Sequence, residues 1–175
     1  MSNGPIPLLV EPHKLADRAI SFTGELPLAK FTRVAELLTN TAGAVQVSVA
    51  FSRDEQKHVV MHLELAAKVA MLCQRCLEDA VISVGGHYDY LVVNHNADST
   101  LLSHSYDVLE VDDEPLDLLA LVEDELLLCL PIVPMHPQGE CQSPAGYVEP
   151  ELGPDETTRS NPFSVLAQLK RDPKL

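Results

Sequence analysis

The chain has 175 residues, with 26 acids against 12 bases and a formal net charge of −14. That length suits one ordinary domain with tails, and the longest apolar run, Leu126 to Val133, is far short of the roughly 20 residues a membrane-crossing helix needs. So acidic a composition argues against a protein that grips nucleic acid through its phosphates, because each phosphate contact calls for Lys or Arg.

Residues 1–25 carry Pro5, Pro7 and Pro12 among short apolar pieces. Leu8 to Val10 and Ala19 to Phe22 suit edge strands, where proline is tolerated. No basic residue precedes the apolar part of Met1 to Val10, so a secretory leader is not expected. A cytoplasmic location follows as an expectation, with the four Cys as reduced thiols. Leu28 to Leu38 reads as a short helix, because Phe31, Val34 and Leu38 share one face, and Gly43 lies just beyond it.

Three strand regions come next. Val45, Val47, Val49 and Phe51 alternate with smaller or polar residues, which is the period of a half-buried strand. Val59 to Leu72 repeats the pattern, with a phase shift expected at Ala66-Ala67. Val81 to Val93 is the third region and is softened by Gly85-Gly86. Together they predict an antiparallel meander, to which Tyr106 to Val111 adds one more strand.

Pro115 to Leu130 is the strongest helix. Leu116, Leu119, Val122, Leu126, Cys129 and Leu130 fall at helical spacing, with Glu123 and Asp124 expected on the opposite side. Asp117 suits the N-cap and Pro131 the stop. Residues 134–160 hold five prolines and several acids, the composition of a flexible loop. A short amphipathic helix is expected over 161–172, with Phe163, Leu166 and Leu169 as its apolar stripe. About ten residues is too short for an isolated helix in water, so it needs a surface to dock on. The fold class is therefore α+β: an antiparallel meander packed on a leucine-rich helix, with residues 1–133 as one domain.

Charge is distributed unevenly. From Cys76 to Thr158 there are 18 acids and no Lys or Arg, whereas Met1 to Arg75 nets +1 and Arg159 to Leu175 nets +3. A stretch with no countercharge attracts and orients a basic partner. Asp112, Asp113, Glu114, Asp117, Glu123 and Asp124 are its candidate contacts, with Phe163, Leu166 and Leu169 as apolar anchors.

One motif carries chemistry. Cys73-Gln74-Arg75-Cys76 is a C-x-x-C at a strand end, a spacing at which two thiolates chelate one zinc ion. His136 and Cys141 are the candidates for the two remaining tetrahedral positions. The 59 residues between Cys76 and His136 exceed the span of compact zinc modules, so free thiols remain the alternative. Redox catalysis is disfavoured, since Glu78 and Asp79 follow the motif and oppose thiolate formation. No phosphate-binding, dinucleotide, zinc-protease or nucleophile-elbow motif occurs.

Three stretches resemble the YceD family, the large ribosomal RNA subunit accumulation proteins of bacteria: Cys73 to Cys76, the run L-D-L-L-A-L-V-E-D-E-L-L-L-C-L-P-I-V-P-M-H-P-Q-G-E-C from Leu116 to Cys141, and N-P-F-S-V-L-A-Q-L-K from Asn161 to Lys170. The resemblance implies a non-enzymatic role in accumulation or processing of large-subunit rRNA, within ribosome biogenesis. Combined with the acidity, it leads us to expect indirect action on rRNA through a basic ribosomal protein or an rRNA-processing factor. The alternative function is a zinc- or thiol-dependent regulatory sensor.

Overall fold

The computed structural model describes residues 2–3, 5–94, 106–112, 114–137 and 139–141. In chain order the elements are β1 (Ser2–Asn3), β2 (Leu9–Val10), α1 (Pro12–Ala16), β3 (Ser21–Pro27), a 3-10 turn (Leu28–Lys30) and α2 (Thr32–Ala35). They continue with β4 (Ala44–Arg53), β5 (Val59–Leu72), β6 (Asp79–Asn94), β7 (Asp107–Val111), β8 (Leu116–Asp117) and α3 (Leu118–Cys129). The protein is α+β. Its main sheet has the order β1-β3-β4-β5-β6-β7, and β2 pairs with β8 in a second, two-stranded ladder. The centre of the main sheet is the expected antiparallel meander, whereas β1 lies parallel to β3 and β7 parallel to β6 at the two edges.

Alternation positions the core. Val45, Val47, Val49 and Phe51 of β4 turn to one face, as do Met61, Leu63, Leu65, Val69 and Met71 of β5, and all are buried. No phase break occurs at Ala66-Ala67. β5 is continuous, and Ala67 is a small member of the inward row, opposite Val45 on one side and Val84 on the other. Leu28, Phe31 and Val34 together with Leu118, Val122 and Leu126 complete the same core, each at 0% exposure. Burying side chains of this size contributes about 1.5–3 kcal/mol each, which is what holds a helix as short as α3.

The short helices differ from expectation. Leu28 to Leu38 is split into the 3-10 turn and α2, because Phe31 adopts extended backbone (φ −95°, ψ 94°) where its ring enters the core. Helix α1 escapes a periodicity search because five residues are too few to show a stripe, although Pro12 at its start is a known entry signal. Helix α3 begins at Leu118 rather than near Pro115. Leu116 and Asp117 pair with β2, and the Leu118 amide donates to the Leu8 carbonyl at 2.8 Å. Asp117 is the N-cap as expected, accepting from the Ala120 amide at 3.0 Å. Leu130 is extended (ψ 135°) before Pro131, which ends the helix. Among the described residues no helix is long and apolar enough to cross a membrane.

Candidate metal centre

β5 and β6 pair all the way to Leu72 and Asp79, so residues 73–78 must reverse the chain within six positions. The Cys73 amide donates to the Glu78 carbonyl and the Leu77 amide to the Cys73 carbonyl, both at 2.9 Å, with Leu77 in the left-handed region (φ 62°). This tight turn points both thiols inward. Cys73 is fully buried and Cys76 nearly so, beside Ala80, Ile82 and Cys141.

The loop after α3 returns to this turn. The Gln74 amide donates to the carbonyl of buried Pro134 at 2.9 Å. His136 then lies with Nδ1 3.4 Å from the Cys76 sulfur and Nε2 3.1 Å from the Asp79 carbonyl. Cys141 follows, its sulfur 3.8 Å from that of Cys73. The four donor atoms of Cys73, Cys76, His136 and Cys141 all lie within 4.8 Å of one another. A tetrahedral ion with metal–sulfur bonds of about 2.3 Å sets its sulfur ligands about 3.8 Å apart, so the donor spacing fits zinc.

Hydrogen bonds and burial set the four donors apart in the metal-free chain. The Asp79 carbonyl fixes Nε2 of His136 as the donor, leaving Nδ1 with its lone pair toward the sulfurs. Burial opposes ionisation of Cys73, yet backbone amides of Cys76, His136 and Arg75 outweigh it and bring the thiol to about 5. Burial pushes Cys76 the other way, to about 11, with the neighbouring Cys141 and Cys73 sulfurs adding to the rise. Hydrogen bonding to Cys73 raises His136. Arg75 is raised by hydrogen bonding to Cys141. Sequence reasoning did not single out Arg75. Its signal was available: it is the last base before 83 residues without one, and it sits inside the C-x-x-C.

Cys129 is separate from this centre. It is half-buried, with its sulfur 2.9 Å from the Tyr88 hydroxyl. The acidic residues read as one surface divide into groups. Asp112 and Glu114 are exposed, and Asp117 is the exposed cap of α3. Asp124 is half-exposed and lies 2.7 Å from Arg33. Glu123 does not face outward as expected. It is 8% exposed and bound to Arg33. Glu125 is buried likewise and accepts from the Tyr90 hydroxyl. Asp113, Phe163, Leu166, Leu169 and the helix expected over 161–172 lie outside the described residues.

Comparison with known proteins adds identity to geometry. Residues 61–170 match the model of a family described as "Large ribosomal RNA subunit accumulation protein YceD". A Haemophilus influenzae protein of that same name is 34% identical over 173 residues, covering 98% of this chain and 99% of its own. No solved structure matches.

Proposed function

The chain belongs to the YceD family, the large ribosomal RNA subunit accumulation proteins, and on that premise we propose that it is a non-catalytic, cytoplasmic factor for accumulation and processing of large-subunit rRNA, its hairpin end fixed by one structural zinc ion. The observation that carries the role is the near full-length relative. The four-donor cluster supports the zinc assignment. Three thiols and one imidazole make a closed set with no position left for substrate, which is the arrangement of structural rather than catalytic zinc. Bound there, zinc would supply four bonds that tie the loop after α3 to the β5–β6 turn.

Charge supports a protein partner. Every phosphate neutralised requires a cation, and the chain carries −14 overall with no Lys or Arg from Cys76 to Thr158. A basic ribosomal protein or rRNA-processing factor satisfies the same charge in the opposite sense, leaving contact with rRNA indirect. The test is to delete the gene and measure the ratio of large- to small-subunit rRNA. The ratio is expected to fall and to recover with the parent chain. An unchanged ratio in the deletion would refute the role.

A second reading, a thiol-dependent sensor, is favoured by the 3.8 Å between the sulfurs of Cys73 and Cys141. In a metal-free chain hydrogen peroxide takes two electrons from the Cys73 and Cys141 thiols, the S–S bond forming as both S–H bonds and the O–O bond break and two water molecules leave. Thiol titration before and after mild peroxide separates the readings: zinc-protected thiols that stay reduced favour the structural site.

A further inference from the structure

The hairpin end also exposes apolar side chains on a tethered loop. Ile132 is 99% exposed and Leu128 77%, and Leu37 and Leu72 are also open to solvent. Leu37, Leu72, Leu127, Leu130 and Ile132 line one groove of about 410 Å³ between α2, the end of β5 and the loop after α3. That volume lies in the ~300–1,000 Å³ range of binding clefts. Soluble chains seldom expose a sizeable apolar patch without a partner.

The loop bearing Ile132 is held through the Pro134 carbonyl on the Gln74 amide, the His136 ring on the Asp79 carbonyl, and Cys141 against Cys73. A loop tethered in this way loses little further backbone freedom when something covers it.

The charges around the groove select what covers it. Glu36 is exposed beside Leu37. Glu78 and Asp79 are exposed on the adjoining turn. Arg33 is paired with Glu123 and Asp124, and Arg75, the base of the adjoining turn, is outnumbered there by Glu78 and Asp79. We propose that this groove is a docking site for a cationic amphipathic protein segment, whose apolar face covers Leu37 and Ile132 while its Lys or Arg side chains meet Glu36, Glu78 and Asp79. Phosphate-rich RNA has the wrong sign for this rim, and an acidic peptide is repelled by it. The proposal rests on the functional reading above in one respect: action through a protein contact.

The test uses the full chain and a labelled 16-residue helical peptide with Leu at i, i+3, i+4 and i+7 spacing and Lys elsewhere. Two comparison peptides replace Lys by Glu or Leu by Ser. Anisotropy titrations are run on the parent and on the double variant Leu37→Ser/Ile132→Ser, whose altered side chains line the groove, are exposed and leave the core intact; its thermal midpoint and zinc content are checked. We expect the Lys–Leu peptide to bind the parent at least tenfold more tightly than it binds the double variant, and at least tenfold more tightly than either comparison peptide binds the parent. Binding within twofold on parent and double variant overturns the proposal, as does equal binding of the Glu peptide. A dimer of the parent that the double variant abolishes, with no peptide effect, overturns it in favour of a second copy. Deletion of the gene discriminates the layers. If deletion lowers large-subunit rRNA but the peptide result fails, only the docking site falls; if deletion leaves rRNA unchanged, the functional reading falls and the peptide result stands on its own.

Discussion

The carboxylate of Glu123 on α3 caps α2 across a gap of 90 residues, one oxygen taking the Arg33 amide at 2.8 Å and the Val34 amide at 3.4 Å, the other taking Nε and Nη2 of Arg33 at 3.1 Å. Arg33 and Val34 are the second and third residues of α2, the amides an N-cap side chain would ordinarily satisfy, and Phe31 at the N-cap offers none. Asp124 and Glu123 together raise the Arg33 guanidinium above its ordinary value. The expected outcome of Glu123→Ala is a loss of about 1.5–3 kcal/mol, the range for hydrogen bonds to a charged group. Arg33→Ala should cost less, since its guanidinium is half-exposed and the amide bonds survive. Urea unfolding of the two variants checks the order; an equal or reversed ranking would contradict the capping role.

The metal assignment makes a selective prediction about cysteines. Parent protein should carry about one zinc per chain, and Cys73→Ser, Cys76→Ser and Cys141→Ser should each deplete it. Cys129→Ser should leave zinc content unchanged, because that sulfur lies against the Tyr88 hydroxyl and away from the cluster. Stripping zinc from the parent with a chelator should lower the thermal midpoint. Elemental analysis of the four variants decides it, and an equal loss with Cys129→Ser would point to a different ligand set.

Gly85 and Gly86 sit side by side on β6 and should respond differently to alanine. A Cβ on Gly85 would lie 2.7 Å from the Leu65 carbonyl oxygen, which is backbone and cannot swing away. On Gly86 it would meet the Tyr88 hydroxyl at 2.5 Å, the end of a side chain that can turn aside at the expense of its bond to Cys129. Gly85→Ala should therefore destabilise by about 1–3 kcal/mol, the usual range for overpacking, and Gly86→Ala by less. Thermal melts of both variants settle the ranking.

Asp54 closes the β4–β5 turn, accepting from the Gln56 amide at 2.9 Å and the His58 amide at 2.8 Å, with His58 Nδ1 3.0 Å from its second oxygen. Burial acts to raise its pKa, but these bonds outweigh it and hold the carboxyl below its ordinary 3.8. A depressed folded value means the stabilisation is present above the unfolded pKa and lost as pH falls through the folded one. The gap in thermal midpoint between parent and Asp54→Asn should thus be open above about pH 5 and narrow as pH drops below 3.8. A gap that stays as wide in acid would mean the turn does not depend on the ionised carboxylate.

Period-two alternation from Val45 to Val93, the helical spacing from Leu118 to Leu126, the Asp117 cap and the Pro131 stop are local rules that act over a few residues. They determined the meander and the main helix from the sequence by itself. The same is true of Cys73 and Cys76, whose spacing alone brings two thiols together. Four matters were decided only in three dimensions. Glu123 and Glu125 face inward because Arg33 and Tyr90, far away in sequence, supply their partners. Phe31 divides a predicted helix because the core draws in its ring. β1 and β7 run parallel to their neighbours, since pairing direction is set by the path of the connecting chain rather than by residue pattern. His136 and Cys141 meet the C-x-x-C because α3 spans the sheet and returns its following loop to the hairpin turn, and only packing fixes such a long-range closure.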